Sequence, residues 1–479
     1  MNEVRLTLGW VARAVRGTLT GDAEREVGAV VIDSRAVQAG DLFVAIRGPR
    51  FDGHDFVADV MERGAAAAVV GRKADLKVRL YDPTVRRDGP SGPPGTALIE
   101  VDDTLAALQD LAHEVRTAAG TRVVAITGSA GKTTTKDTIA EFLSARFRVV
   151  KNTGNLNNHI GLPLSLMQLR TGPDVAVMEF GMNHAGEIST LVAIAEPDVR
   201  VWTNVGDAHL GFFASPDAIA DAKAEILERA RPTDLLVCHA DDPRVMARAG
   251  AFAGRTITFG EAAGATVRAH GIEDRGIDGV AARVTTPVGE RALETPLLGR
   301  GNLSNVLAAT AVAVDAGIPL DAIVASAARL QPADRRGAVR RLRDGITLID
   351  DSYNSSPAAL RQALDVLAHS PRAARTVAVL GEMLELGDHS TRLHQESGRA
   401  AASAGVQMLV AVGGPAARAL ADAAVEAGVP VESVSYVETS EEAAAAIVGA
   451  VRPGDLVLVK GSRGTRTDVV ADRLTAELG

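Results

Sequence analysis

Arg122-Val123-Val124-Ala125-Ile126-Thr127-Gly128-Ser129-Ala130-Gly131-Lys132-Thr133-Thr134-Thr135 is the stretch on which the reading of this chain turns. Its first half is an apolar run with strand character, and its second half is a glycine turn that opens a helix. Strand, glycine turn and helix in that order make a phosphate loop. Glycines let backbone N–H groups close around a phosphate, the helix N-terminus adds positive potential, and a lysine reaches the terminal phosphates. Gly128, Ser129, Ala130, Gly131, Lys132, Thr133 and Thr134 are therefore candidate nucleotide contacts. Lys132 is also a candidate catalytic group, and the Thr133 hydroxyl can hold Mg2+. The longer Walker pattern carries a glycine where Ile126 stands, so this is the shortened Gly-x-x-Gly-Lys-Thr form. The plainer reading of the same residues is a structural glycine turn with an N-capping threonine.

Strands follow at residues 174–179 and 199–205, each ending in polar residues. Strands alternating with helices imply a mostly parallel sheet, whose ligands sit beyond the carboxyl ends of the strands. Glu179 closes the first of these strands and is placed to hold magnesium, although many strands end in an acid that merely faces water. Asn204-Val205-Gly206-Asp207-Ala208-His209 closes the second, and a lone histidine such as His209 is more often structural than a ligand. Residues 256–296 read as short strands with glycine turns, ahead of a helix at 303–316 that Asn302 would cap.

Upstream, β-rich runs at 29–32, 42–45, 67–70 and 97–101 precede a helix with Leu105, Leu108, Leu111, Ala112 and Val115 on one face. Residues 82–95, rich in proline and glycine, read as an exposed loop. Downstream, strands at 346–350, 376–380, 408–412 and 456–460 alternate with alanine-rich helices, as a second nucleotide-type fold does. Asp350-Asp351 ends the first of these, where paired acids bind ribose hydroxyls or simply begin a turn. The whole is read as α/β with three domains, at residues 1–118, 119–333 and 334–479.

Composition bounds the rest. Aromatics are 3% of the chain, so Ala, Val, Leu and Ile must fill the cores. A formal charge of -9 argues against nucleic acid or an anionic membrane as the main partner. The one cysteine, Cys238, excludes an intramolecular disulfide or a cysteine metal cluster and fits a reducing compartment. No basic-then-apolar leader and no bilayer-length apolar run is found, so the expectation is a cytoplasmic protein without membrane insertion.

Lys223 is the most informative single residue. Ser215-Pro216-Asp217 starts a helix, with a capping serine and a proline in the first turn. At about 100° per residue, Ile219, Ala222, Ile226, Leu227 and Ala230 share an apolar face, and Lys223 falls on it, roughly 40° from Ile219. Asp221, Glu225 and Glu228 point away. A buried ammonium is costly unless it is paired or modified; snorkelling or a buried ion pair is the ordinary explanation.

Taken together these stretches resemble the Mur ligase family, over nearly the whole chain. Asp33-Ser34-Arg35 with Gly40-Asp41-Leu42-Phe43-Val44-Ala45 and Phe51-Asp52-Gly53-His54 is similar to its UDP-sugar-binding domain. Asn155-Leu156-Asn157-Asn158 with Gly161-Leu162-Pro163 is similar to its central-domain loop. Glu179-Phe180-Gly181-Met182-Asn183, Asp350-Asp351-Ser352-Tyr353-Asn354 and Gly381-Glu382-Met383-Leu384-Glu385-Leu386-Gly387 are the more specific matches, and they fall in the branch that adds D-alanyl-D-alanine. The Asp-Asn-Pro-Arg motif of the branch that adds the third peptide residue is absent. Departures are Ser355-Ser356-Pro357 after Asn354, where Ala-Asn-Pro is more common, and Gly301 in place of a histidine.

The resemblance implies an N-terminal mixed α/β UDP-sugar-binding domain, a central mononucleotide-binding sheet and a C-terminal Rossmann-like domain. It implies ATP and Mg2+ as cofactors, and UDP-N-acetylmuramoyl-tripeptide and D-alanyl-D-alanine as substrates of amide ligation in cell-wall synthesis. Asn302 would lie near the adenine, with Arg336 and Asp351 reaching ATP from the last domain. Ser34, Arg35, Asn158, Tyr353 and Asn354 would contact the other substrates, and the loop at 381–387 would grip the dipeptide. Lys223 would carry a CO2-derived carbamate and join Thr133, Glu179 and His209 around magnesium, with Lys223 and His209 counted as catalytic. A monomer is expected, closing its three domains to exclude water. The alternatives are a sibling Mur ligase or folylpolyglutamate synthase, and an ATP-binding scaffold without catalysis.

Overall fold

The computed structural model describes residues 3–72, 74, 97–207, 210–370 and 373–479. The loop expected at 82–95 and the candidate ligand His209 both lie outside the described residues. The chain divides into two compact units: Met1–Ala125, Phe147–Met182 and Glu187–Asp198 form one, and Ile126–Arg146, Asn183–Gly186 and Val199–Gly479 the other.

The first unit holds a five-stranded sheet of β1 (Thr18–Thr20), β2 (Val30–Val31), β3 (Leu42–Val44), β4 (Ala67–Gly71) and β5 (Leu98–Val101), in the order β1-β5-β4-β3-β2. Only β1 runs antiparallel to its neighbour. The continuous apolar runs of β3 and β4 are buried on both faces, as parallel strands require. Phe43, Val57, Val60 and Val70 form part of the core on one side. The helix Thr104–Ala119 buries Leu108, Leu111, Ala112 and Val115; Asp103 caps its start through the N–H groups of Leu105 and Ala106, and Gly120 ends it at φ 64°. Strand β6 (Arg122–Thr127) begins in this unit, which also contains the parallel pair β7 (Val149–Lys151) and β8 (Val175–Glu179).

The second unit takes the last two residues of β6, Ile126 and Thr127, and the phosphate loop after them. Its β9 (Val199–Trp202), β10 (Leu235–His239), β11 (Arg255–Gly260) and β12 (Val267–Asp274) are successive parallel neighbours. Antiparallel β13 (Val280–Thr286) and β14 (Gly289–Thr295) complete the expected β excursion. A separate six-stranded sheet follows the order β15-β16-β20-β17-β18-β19. Its strands are β15 (Ala338–Arg341), β16 (Thr347–Asp351), β17 (Arg375–Gly381), β18 (Met408–Val412), β19 (Val434–Val437) and β20 (Asp455–Lys460). All but β15 are parallel. The last strand, β20, inserts between β16 and β17, and ligands of such parallel sheets bind beyond the carboxyl ends of the strands.

Two expectations need correction. The strand expected at 199–205 stops at Trp202, and Thr203 and Asn204 turn aside to hold the phosphate loop. The helix expected to start after Asn302 starts at Gly299, and no side chain caps it; Asn302 Nδ2 instead donates to Leu298 O, four residues back. Glycines make the early start possible. Gly299 has φ 76°, and a Cβ on Gly301 would sit 2.4 Å from Gln362 Oε1. Among the described residues no helix is long and apolar enough to cross a membrane.

Candidate active site

The phosphate loop is shaped by the chain that follows β9. Thr203 N–H donates to Thr127 O at 3.0 Å, and Ser129 N–H to Asn204 O at 3.1 Å. The Asn204 amide then takes both polar groups of Ala130: Oδ1 accepts its N–H at 2.9 Å, and Nδ2 donates to its carbonyl at 3.1 Å. Thr203 Oγ1 donates to the same carbonyl at 2.8 Å, and Ser129 Oγ accepts from Gly206 N–H at 2.8 Å. Gly131 stands at φ 80°, in the left-handed region that glycine tolerates. A Cβ there would lie 2.2 Å from Asn305 Oδ1, and one on Gly128 would lie 1.9 Å from Thr203 Oγ1. Thr203 and Asn305 therefore pack so closely on the loop that only glycine fits at these two positions, which leaves a backbone cradle.

The helix Lys132–Ser144 leaves this cradle with no side-chain cap, so its positive end faces whatever the loop encloses. Lys132 Nζ reaches back to Gly128 O at 2.8 Å; Thr133 and Thr134 follow, half-buried, in the first turn. Behind the loop, Thr135 Oγ1 donates to Asn305 Oδ1 at 3.2 Å, and Asn305 Nδ2 to Asn302 Oδ1 at 3.1 Å. Asn302 is thus joined to the phosphate-loop helix through Asn305. A cradle of backbone, an uncapped helix end and a lysine over the loop fit a nucleotide's phosphates.

Lys223 lies on the helix Pro216–Ala224, which Ser215 caps by accepting from Ala218 N–H at 3.1 Å. It is 1% exposed, whereas Asp221 faces outward and pairs with Arg248. Its pKa is held well below the ordinary lysine value, first by burial and then by the ammonium of Lys132. The ammonium form is therefore disfavoured relative to an exposed lysine, and the amine lies within electrostatic reach of the phosphate-loop lysine. Among the described residues no group of three or more His, Cys, Asp and Glu side chains is arranged to hold a metal ion. Glu179, in the first unit, is 4% exposed; it accepts from Asn157 Nδ2 at 2.8 Å, and its N–H donates to Asn152 Oδ1.

In the six-stranded sheet the paired acids separate. Asp350 faces inward, accepts from Ser352 Oγ at 2.6 Å, and has its pKa raised mainly by burial. Asp351 accepts from Lys460 Nζ at 2.6 Å, and Lys460, 3% exposed, also donates to Asn354 O. Arg336 lies over the Tyr353 ring at 4.1 Å, with Arg463 at 5.7 Å from the same ring. The neighbouring Arg335 is engaged by Asp468 and Asp472. In the first unit, Arg35 makes a two-point pair with Asp33, whose pKa falls to about 2 chiefly through that hydrogen bond. Ser34 O accepts from Arg63, and Asn158 Oδ1 accepts from the N–H groups of Ile160 and Gly161.

Asn204, Asn305, Asn157 and Lys460 were not singled out as site residues in the sequence. Their type was visible at strand ends and beside glycine turns; which backbone groups they would clamp was not.

The fold and this loop define a phosphate-loop α/β protein of a particular lineage. The Mur ligase middle domain model matches residues 126–313, the Mur ligase glutamate ligase domain 335–463, and the Mur ligase family catalytic domain 26–116. A UDP-N-acetylmuramoyl-tripeptide–D-alanyl-D-alanine ligase of Bacillus subtilis is 32% identical over 478 residues, 99% of this chain and 100% of that one. A crystal structure of MurF from Acinetobacter baumannii superposes with a TM-score of 0.86 at 31% identity, covering 100% of both chains. The MurF ligase of Thermotoga maritima in complex with ADP gives 0.79 at 29% identity, over 94% of this chain and 97% of that one. The chain belongs to the Mur ligase family.

Proposed function

We propose that this protein joins D-alanyl-D-alanine to the terminal carboxylate of UDP-N-acetylmuramoyl-tripeptide at the expense of ATP. Full-length similarity to ligases named for that reaction supports the reading, and one observation carries it on the chain's own residues. Lys223, 1% exposed and with its ammonium form disfavoured by burial, lies within electrostatic reach of Lys132, the lysine of a glycine cradle.

The tripeptide carboxylate takes the γ-phosphoryl group of ATP, giving an acyl phosphate. The dipeptide amine then attacks the acyl carbon, and phosphate leaves. Lys132 and the backbone of residues 128–134 offset charge on the phosphoryl group as it transfers. Bound magnesium would add charge neutralisation, with Thr133 as a ligand. In the same proposal the unprotonated form of Lys223 Nζ, which burial favours, adds its lone pair to CO2 and loses one proton to solvent, giving an oxygen-donor anion suited to magnesium. Glu179 and His209 complete the ligand set by family resemblance. Asn302, Arg336 and Asp351 serve the nucleotide; Ser34, Arg35, Asn158, Tyr353 and Asn354 serve the other substrates. Domains at 1–118, 119–333 and 334–479 each carry one substrate.

The test is phosphate release by the purified protein. Release should require both the UDP-tripeptide and D-alanyl-D-alanine, and free glutamate or a diamino acid should not replace the dipeptide. Lys132→Ala should remain folded and lose ~100-fold or more in turnover. Use of a single amino acid would move the protein to a sibling activity, and release without either substrate would remove the ligase reading.

A further inference from the structure

The segment after β17 is held more tightly than a surface turn needs. Glu382 N–H donates to Val412 O at 2.8 Å, and Glu382 Oε2 accepts from Gly414 N–H at 2.7 Å. Leu384 N–H donates to Ser462 Oγ at 2.9 Å, beyond the end of β20. Glu385 stands at φ 64°, a left-handed conformation that a non-glycine residue keeps only where its surroundings impose it. Gly211 N–H donates to Glu385 O at 2.7 Å, tying the loop to the segment that follows β9 and precedes the Lys223 helix. Met383 and Leu386 are buried, while Leu384, beyond the carboxyl end of β17, is 44% exposed.

His394 completes this set. It is 0% exposed, on the helix Ser390–Ser403. Met383 N–H donates to its Nε2 at 2.8 Å, and its Nδ1 lies 2.7 Å from Ser390 O. A backbone N–H can only donate and a carbonyl can only accept, so the ring carries its single proton on Nδ1 and is neutral. Burial lowers its pKa in the same direction. No hydrogen-bonding capacity of the ring remains for chemistry; both nitrogens are spent on holding the loop.

We propose that His394 is a positioning residue for the acceptor amine: as a neutral imidazole it fixes residues 383–385 as one wall of the site that holds the dipeptide. This rests on the ligase reading above. The wall presents the exposed Leu384 as its apolar surface. It stands at the carboxyl ends of the strands, where ligands of parallel sheets bind.

The test uses the full chain and separates the two half-reactions. Wild type is first shown to consume D-alanyl-D-alanine; failure there would concern the ligase reading and not His394. His394→Leu keeps the bulk and removes the acceptor for Met383 N–H. It should raise the KM for D-alanyl-D-alanine about tenfold, with the KM values for ATP and UDP-tripeptide unchanged. Formation of acyl phosphate without dipeptide, trapped by hydroxylamine, should also be unchanged. His394→Gln restores an acceptor near the Nε2 position and should recover most of the lost affinity. If His394→Leu does not fold, Ser462→Ala, which frees Leu384 N–H, carries the same prediction. Equal rises in all three KM values, or a dipeptide KM indifferent to these changes, would overturn the proposal.

Discussion

Lys223 sets function against stability at one residue. Its folded pKa lies below the ordinary lysine value, with burial the first cause. Between the two values the unfolded chain holds a proton that the folded chain lacks, so stability rises with pH and the penalty grows as pH falls below about 10.4. Lys223→Met removes that penalty. In CO2-free buffer at pH 7 the variant should melt higher than wild type, and the gap should narrow at pH 9 by thermal denaturation. On the carbamate proposal its turnover should nonetheless fall on the order of 100-fold or more, because the proposed anionic oxygen donor would be gone. Lys223→Ala should regain part of the rate with added acetate or formate, which can occupy the vacated volume. If added carboxylate does nothing and the native protein carries no extra CO2 by mass, Lys223 is an ordinary buried lysine.

The phosphate loop is the element whose geometry is most exposed to test. Gly131→Ala asks a side chain to adopt φ 80°, which costs roughly 1–2 kcal/mol, and sets its Cβ 2.2 Å from Asn305 Oδ1. Asn305 has little freedom to retreat, since Thr135 and Asn302 both hydrogen-bond its amide. Nucleotide binding measured by calorimetry should be lost or weakened more than tenfold, while the protein stays folded. Asn204→Ala removes two hydrogen bonds to Ala130 and should weaken nucleotide binding by about 1–3 kcal/mol. Unchanged affinity in both variants would mean that the loop does not hold the phosphates. The element itself was legible: an apolar strand, a glycine turn and a helix start are local features. Its clamp was not, because Thr203 and Asn204 lie more than seventy residues along the chain, where the sequence pattern predicts strand.

At the scale of the molecule, the described nucleotide candidates, residues 128–134 with Asn302, Arg336 and Asp351, fall in the second unit, whereas Ser34, Arg35 and Asn158 fall in the first. A ligand that binds only the folded form stabilises the parts it touches. A non-hydrolysable ATP analogue alone should therefore slow amide hydrogen exchange across residues 126–146 and 299–315, and the UDP-tripeptide alone should slow it across 30–44. Protection by the nucleotide confined to 30–44 would reverse the assignment of substrates to sheets.

Local chemistry sufficed for the sequence to determine the α/β alternation, the phosphate loop, the capped helix with a lysine on its apolar face, and the ending of β16 in two acids. Each of these is a pattern within one turn or one strand, where side-chain period and capping residues act directly on the backbone. Tertiary structure alone decided which of those residues do what. Asp350 turned inward and Asp351 toward Lys460 because β20 inserts beside β16, a pairing of segments more than a hundred residues apart. Asn302 proved to lie within the first turn of a helix, since Gly299 lets the chain enter it earlier than a capping asparagine implied. His394 became neutral because a backbone N–H and a carbonyl met its two nitrogens in a buried place. The physical reason is the same in each case. Period and propensity fix which way a residue faces on its own element, but the partner that sets its charge or hydrogen bond arrives with another element.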